Sequence, residues 1–317
     1  MRVDFAPLDG ITKAVFRQVW SRFFGGLDRY FIPFFSPTDQ HILTDRDRRE
    51  LTGSMDLPGI PQVMTCRAAD FLWAVERLKD LGFPEANLNL GCPSGTVTAK
   101  GKGSGFLADT EGLDRFFDEV FSKAVLPVSV KTRLGYQTEA EFPRLLEVFN
   151  RYPIACLTIH PRIRAEKYRG TVHMDEFTLA METSRNPVCY NGDLQTVEDM
   201  EGLKARFPSL EAVMIGRGAI ADPALPRKLR GGAAATREEL QAFTAALYEA
   251  YRDFYGQAHP AAQRMKEVWF YLIHLFENGE RLGGRLRRSR GPKAYEQLEA
   301  EIFQTLVLRD HTEGDLF

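Results

Sequence analysis

Eight short apolar, β-rich runs, alternating with helical segments, constrain this chain more than any other feature. The runs fall at 3–6, 30–34, 60–65, 86–90, 128–132, 156–160, 188–191 and 212–215. The segments between them carry apolar residues at three- and four-residue spacing, most clearly at 68–81, 140–152 and 197–207. Eight strands alternating with helices predict a (β/α)₈ TIM barrel. Its helical rhythm is broken between the second and third strands by HILTDRDRRELTGSMDLPG, which reads as an accessory hairpin or loop.

The chain has 317 residues, and a barrel alone commonly takes about 250. After RGGAAA at 230–235 the pattern becomes purely helical, starting from a capping box at Thr236 and Glu239. Amphipathic stretches at 240–255, 261–277 and 294–308 predict a small α-helical bundle. The expected division is therefore a barrel over 1–235 and a helical domain over 236–317.

The net charge of −2 excludes a protein that grips a polyanion with its whole surface. A local patch is needed, and GERLGGRLRRSRGPK in the helical tail supplies the most basic run. Arg264 and Lys266 lie just before it; Arg285, Arg287 and Arg288 lie within it. Together with Lys100, Lys102, Arg133 and Arg162 near the barrel mouth they suggest a track for phosphates. Cys66, Cys92, Cys156 and Cys189 are widely spaced with no C-x-x-C, which points to free thiols in a reducing compartment. No apolar run of signal-peptide or membrane-spanning length is present, so a cytoplasmic protein is expected, without metal and monomeric.

In a TIM barrel the residues ending the strands face the active site. Here those ends are polar: Pro7-Leu8-Asp9, Gln62, Asn89 with Cys92, Lys131 with Arg133, His160 with Arg162, Asn191-Gly192-Asp193, and Gly216-Arg217. Singly each has a structural explanation, such as a small buried thiol or a core histidine bonded to backbone. Their convergence on one rim does not. The loops after strands seven and eight commonly hold a phosphate, which places the tail of a cofactor such as FMN at Asn191–Asp193 and Gly216-Arg217. Lys131 is then available to neutralise a reduced isoalloxazine ring, with Gln62 or Asn89 bonding its edge. Alternate glycines at 101, 103 and 105, separated by Lys102, read as a mobile loop over a polyanion.

Together APLDGITKAVFR, NLNLGCPS followed by G-x-G-x-G-x-L, VSVKTRLGY, TIHPR, NGD and VMIGRG resemble the tRNA-dihydrouridine synthases, in order and spacing. That resemblance implies an FMN enzyme, reduced by NADPH, that converts a uridine of the tRNA D-loop to 5,6-dihydrouridine. It implies that Cys92 is the catalytic cysteine, that Pro7 to Asp9, Gln62, Lys131, Asn191 to Asp193 and Gly216-Arg217 contact FMN, and that His160 lies beside the flavin. HPRIRAEKYRG departs from the family pattern after its HxR, within 162–168. An aldolase barrel with Lys131 as a Schiff-base lysine would leave Cys92 and the glycine stretch idle, and two other readings compete. One is a dihydroorotate dehydrogenase-like FMN barrel acting on a small molecule, against which the basic tail speaks. The other is a non-catalytic RNA-binding protein, against which Cys92 and the complete cofactor loops speak.

Overall fold

Eight parallel strands follow one another around a closed barrel: β1 (Arg2–Phe5), β2 (Arg29–Phe35), β3 (Gly59–Val63), β4 (Ala86–Leu90), β5 (Val128–Arg133), β6 (Leu157–His160), β7 (Val188–Tyr190) and β8 (Ala212–Ile215). The computed structural model describes residues 1–312. β1 closes the ring on β8, with Arg2 opposite Ala212 and Phe5 opposite Ile215. All five residues of β3 and of β4 are buried, because the barrel interior covers one face and the helical ring the other.

The register sets the active end. Asn89 pairs with Lys131, and Arg133 pairs with His160. Side chains two apart on a strand share a face, so Lys131 and Arg133 follow each other up one side of β5.

The segment between β2 and β3, expected as a hairpin or loop, contains a helix, Asp45–Thr52. Thr44 and Asp47 form a reciprocal capping box at its start. What fixes it to the barrel is Arg17, a fully buried guanidinium on helix Ala14–Phe23. Arg17 donates to the Glu50 carboxylate at 2.7 Å, to the Ser54 hydroxyl and to the Thr12 carbonyl. One buried cation thus ties the first βα loop to the insertion.

Beyond β8 the described residues form helices and turns apart from one isolated bridge, Phe276 to Leu308. Thr236 caps helix Arg237–Tyr255 by accepting from the Glu239 amide. The Glu239 carboxylate, expected to complete a capping box, is instead held by both Arg227 Nη atoms at 2.7 and 2.8 Å. A bidentate guanidinium outcompetes a single backbone N–H. Phe243 inserts its ring among Phe16, Phe23 and Phe24, with centroids 5.2–6.1 Å apart, and so seats the tail on the first barrel helix. The barrel and tail share one hydrophobic core. No described helix is long and apolar enough to cross a membrane.

Candidate active site

At the C-terminal ends of the strands lies a cavity of about 540 Å³, within the range usual for small-molecule and cofactor sites, about 300–1,000 Å³. Pro7, Leu8, Asp9, Asn89, Cys92, Lys131, His160, Asn191, Gly192, Asp193, Gly216 and Arg217, all expected at the site, line it together.

Cys92 sits on a turn that the barrel interior holds rigidly. Asn87 donates to Ser129 Oγ at 2.8 Å, Gln62 Nε2 donates to Asn87 Oδ1 at 2.7 Å, and Asn89 Nδ2 donates to Gln62 Oε1 at 2.9 Å. Asn89 Oδ1, its orientation thereby fixed, accepts from the Gly91 and Cys92 amides at 3.1 and 2.9 Å. Gln62 is fully buried and lies outside the cavity lining; it acts on the site through Asn89. A connected, satisfied network of this kind fixes the position of its last member.

The glycine stretch supports the same turn from behind. It is not an open loop: Gly103–Ala108 forms a 3₁₀ turn in which residues 103–107 are buried. Ser104 donates both its amide and its hydroxyl to the Cys92 carbonyl, at 3.1 and 2.8 Å. A side chain at Gly103 would place its Cβ 2.9 Å from that carbonyl oxygen, and Gly103 has φ +57°. These glycines allow backbone to approach backbone.

Burial pushes the Cys92 thiol up from its ordinary range, so it stays protonated at neutral pH. Lys131 moves the opposite way, down to about 7, first through burial and then through repulsion from Arg133. No carboxylate pairs with Lys131 among the described residues. Burial and the surrounding cations, Arg133 foremost, hold His160 well below its usual range. Geometry agrees: Arg162 Nη1 lies 3.2 Å from His160 Nε2, and a guanidinium only donates. His160 is therefore neutral, accepts at Nε2 and carries its proton on Nδ1.

Arg133 and Arg162, expected along a tRNA phosphate track, are each about 1% exposed. Arg133 donates to the carbonyls of Gly91 and Ile163. Arg162 grips both oxygens of Asp193 and the carbonyls of Arg169 and Gly170, closing the loop after β6 onto the loop after β7. Their backbone bonds enclose them, which a strand-end position in the sequence does not reveal. Lys266 is likewise mostly buried, with Nζ 2.6 Å from the Ser289 carbonyl, and Arg264 bonds the Gly10 carbonyl and Glu267. Lys100 and Lys102 lie outside the cavity lining. Arg285 pairs with Glu301 at 2.8 Å, Arg287 lies over the Phe270 ring at 5.8 Å, and Arg288 belongs to the same helix, Glu280–Arg288.

Four aromatic residues that line the cavity, Phe34 at the end of β2 among them, escaped the sequence reading of the site. Tyr168 lies between the Arg133 and Arg217 guanidiniums, 5.3 and 4.8 Å from its ring centroid. Phe270 and Tyr271 reach the cavity from the tail helix Ala258–Leu272, so the tail forms part of the wall. For Tyr168 the available signal was the cationic HPRIRAEKYRG segment around it; for Phe270 and Tyr271, helical periodicity gave none.

These features define a (β/α)₈ barrel with a cationic ligand cavity at its C-terminal mouth. The barrel superposes on morphinone reductase with a TM-score of 0.54 at 15% identity, covering 74% of this chain and 87% of that one. For histamine dehydrogenase from Rhizobium sp. 4-9 the TM-score is 0.56 at 14% identity, over 73% of this chain and 45% of that one. More specifically, residues 4–300 match the family model for dihydrouridine synthase (Dus), and the chain belongs to that family. It is 27% identical over 276 residues to a probable tRNA-dihydrouridine synthase of Rhizobium leguminosarum bv. phaseoli, covering 86% of this chain and 85% of the relative. It is 30% identical over 241 residues to the tRNA-dihydrouridine(16) synthase of Ralstonia nicotianae, covering 73% of each.

Proposed function

We propose that this chain reduces a D-loop uridine of tRNA to 5,6-dihydrouridine, using FMN that is itself reduced by NADPH. The observation that carries the reading is a protonated Cys92, locked on the Asn89 turn, in one cavity with a Lys131 that has no carboxylate partner and a neutral His160.

The cavity residues fit FMN. Lys131 lines the cavity without a carboxylate partner, and with its pKa lowered to about 7 an anionic ligand would favour its protonated form. Gly192, Gly216 and Gly218 line the strand-seven and strand-eight end of the cavity, the place where barrels of this kind commonly hold a phosphate. Asn191 Nδ2 is committed to the Met214 carbonyl at 2.8 Å, which fixes that loop against β8. On this reading Pro7 to Asp9, Asn89 and Lys131 would hold the ring, and Asn191 to Asp193 with Gly216-Arg217 would hold the phosphate. Bound there and reduced, FMN supplies a hydride to carbon 6 of uracil.

The chain's own residues do the rest. Cys92 Sγ–H donates the proton that carbon 5 requires, and its raised pKa keeps that proton in place until needed. Neutral His160 can offer Nδ1–H as a donor without adding charge. The uridine enters unstacked, at least cost from a loop, past a mouth walled by Tyr168, Phe270 and Tyr271.

The protein is expected to purify with noncovalent FMN. Asn191→Ala combined with Arg217→Ala is expected to lower the bound flavin per polypeptide by at least tenfold, read from its absorbance after denaturation. Unchanged flavin content moves the cofactor elsewhere.

Among the cations assigned to tRNA, Lys100, Lys102, Arg285, Arg287 and Arg288 remain candidates for phosphate contact. Reversing Arg285, Arg287 and Arg288 to glutamate is expected to weaken tRNA binding by at least tenfold and flatten its salt dependence. Flavin content stays unchanged. Equal affinity and slope across a salt series would assign the tail a packing role alone. Dihydrouridine mapping in tRNA from a strain lacking the gene tests the whole reading: full retention of every dihydrouridine contradicts it.

A further inference from the structure

Of the residues that the tail lends to the cavity wall, Phe270 is the one that packing does not explain. On helix Ala258–Leu272 the neighbouring Val268, Trp269 and Leu272 are at most 1% exposed, whereas Phe270 keeps 38% of its surface in water. A phenyl ring left out of the core forgoes much of what its burial contributes. Its place is set from two sides. One turn earlier on the same face, Lys266 donates to the Ser289 carbonyl at 2.6 Å and so holds the end of the basic helix Glu280–Arg288 alongside. On the adjoining face Arg264 bonds the Gly10 carbonyl in the first βα loop, and Tyr271 lies two turns further along. The Phe270 and Tyr271 rings meet edge to face, with centroids 4.9 Å apart. Phe270 therefore stands on the seam between the barrel mouth and the basic helix, and lines the cavity from there.

The charge around this ring selects what can cover it. The Arg287 guanidinium lies over it, 5.8 Å from the centroid. Among the described residues Arg287 forms no ion pair, whereas Arg285 on the same helix is held by Glu301. Lys167 and Arg169, which also line the cavity, form none either. A flat apolar ring beside a cation with free donors suits a nucleotide, base on the ring and phosphate on the guanidinium. A uridine drawn out of a loop leaves the next base without a stacking partner on that side, and a ring at the rim replaces the lost stack.

We propose that Phe270 is a stacking platform for a base adjacent to the extruded uridine, with Arg287 taking a phosphate of the same stretch of backbone. The inference rests on tRNA being the substrate. The subsite holds no reacting atom. It contributes to the choice of uridine, because only a loop with an unpaired base at the neighbouring position fills it while the uridine is in the cavity.

The test is a double-mutant cycle in binding. The full-length protein, as purified and at one fixed salt concentration, is titrated with tRNA transcripts that each carry a single abasic nucleotide, placed at successive D-loop positions. Phe270→Ala is expected to weaken binding of the intact transcript by about five- to hundredfold, the usual worth of one base–aromatic stack. With the one transcript that lacks the stacked base, the same substitution is expected to change nothing. Phe270→Trp is expected to bind the intact transcript as the parent does, and Phe270→Leu, which keeps apolar bulk without a π-face, to stay weakened. Thermal unfolding establishes that each variant is folded. An equal loss for every transcript, or no loss, overturns the proposal; so does a fall in bound flavin with Phe270→Ala, which would assign the ring to the cofactor. Coupling to one base in a protein that forms no dihydrouridine upholds the platform and contradicts the proposed reaction, and dihydrouridine formation without coupling does the reverse.

Discussion

Replacing Cys92 with alanine is expected to lower the rate of uridine reduction by about 10²–10⁴, the usual worth of a positioned general acid. Flavin content and flavin reduction by NADPH are expected to stay near those of the parent. The asymmetry follows from where the thiol acts. It is held by its own backbone amide to Asn89 and by its carbonyl to Ser104, so the turn survives loss of the side chain. Only protonation of carbon 5 uses Sγ. Because burial raises the thiol pKa, the alkaline limb of the uridine half-reaction is expected to lie above the ordinary thiol range. Single-turnover mixing of the reduced enzyme with unmodified tRNA separates the halves. Equal slowing of both half-reactions would make Cys92 a packing residue of the turn.

The barrel was legible because its strands are short apolar runs whose spacing leaves room for one helix each, and every run lies on a strand within two residues at either end. Most of the cavity was legible for a related reason. In this architecture the strand ends converge, so Asn89, Lys131, His160, Asn191 and Gly216 are brought together by topology. What sequence could not show is which side of a residue faces the cavity. Gln62 and Arg162 both stand near strand ends, yet each spends its polar atoms inside the wall.

The glycines at 101, 103 and 105 illustrate a different limit. A glycine signals a close approach, but not whether the approaching group is a ligand or the chain itself. At Gly103 it is the Cys92 carbonyl. Tail residues were harder still, because Phe270 and Tyr271 sit in an ordinary amphipathic helix and acquire their place in the cavity wall only when that helix docks. The docking contacts, Arg264 to the Gly10 carbonyl and Phe243 among Phe16, Phe23 and Phe24, join residues more than two hundred positions apart.

Arg162→Ala is expected to destabilise the protein by about 2–3 kcal/mol, the cost of leaving acceptors in the cavity wall without their donor. Arg162 is enclosed and simultaneously serves Asp193, the carbonyls of Arg169 and Gly170, and His160 Nε2. Without it the two carbonyls lose a donor at the cavity wall, and Asp193 keeps only Arg217 among these guanidiniums. Asp193 also occupies the left-handed region, at φ +38°, a conformation that costs an ordinary residue about 1–2 kcal/mol and persists where neighbours hold it. Arg162→Lys is expected to recover only part of the loss, since one ammonium cannot span two carboxylate oxygens and two carbonyls at once. Urea denaturation of the flavin-free proteins measures the effect without relying on cofactor or tRNA. If Arg162→Ala unfolds within about 1 kcal/mol of the parent while tRNA affinity falls, Arg162 belongs to the RNA surface and the clamp assigned to it is wrong.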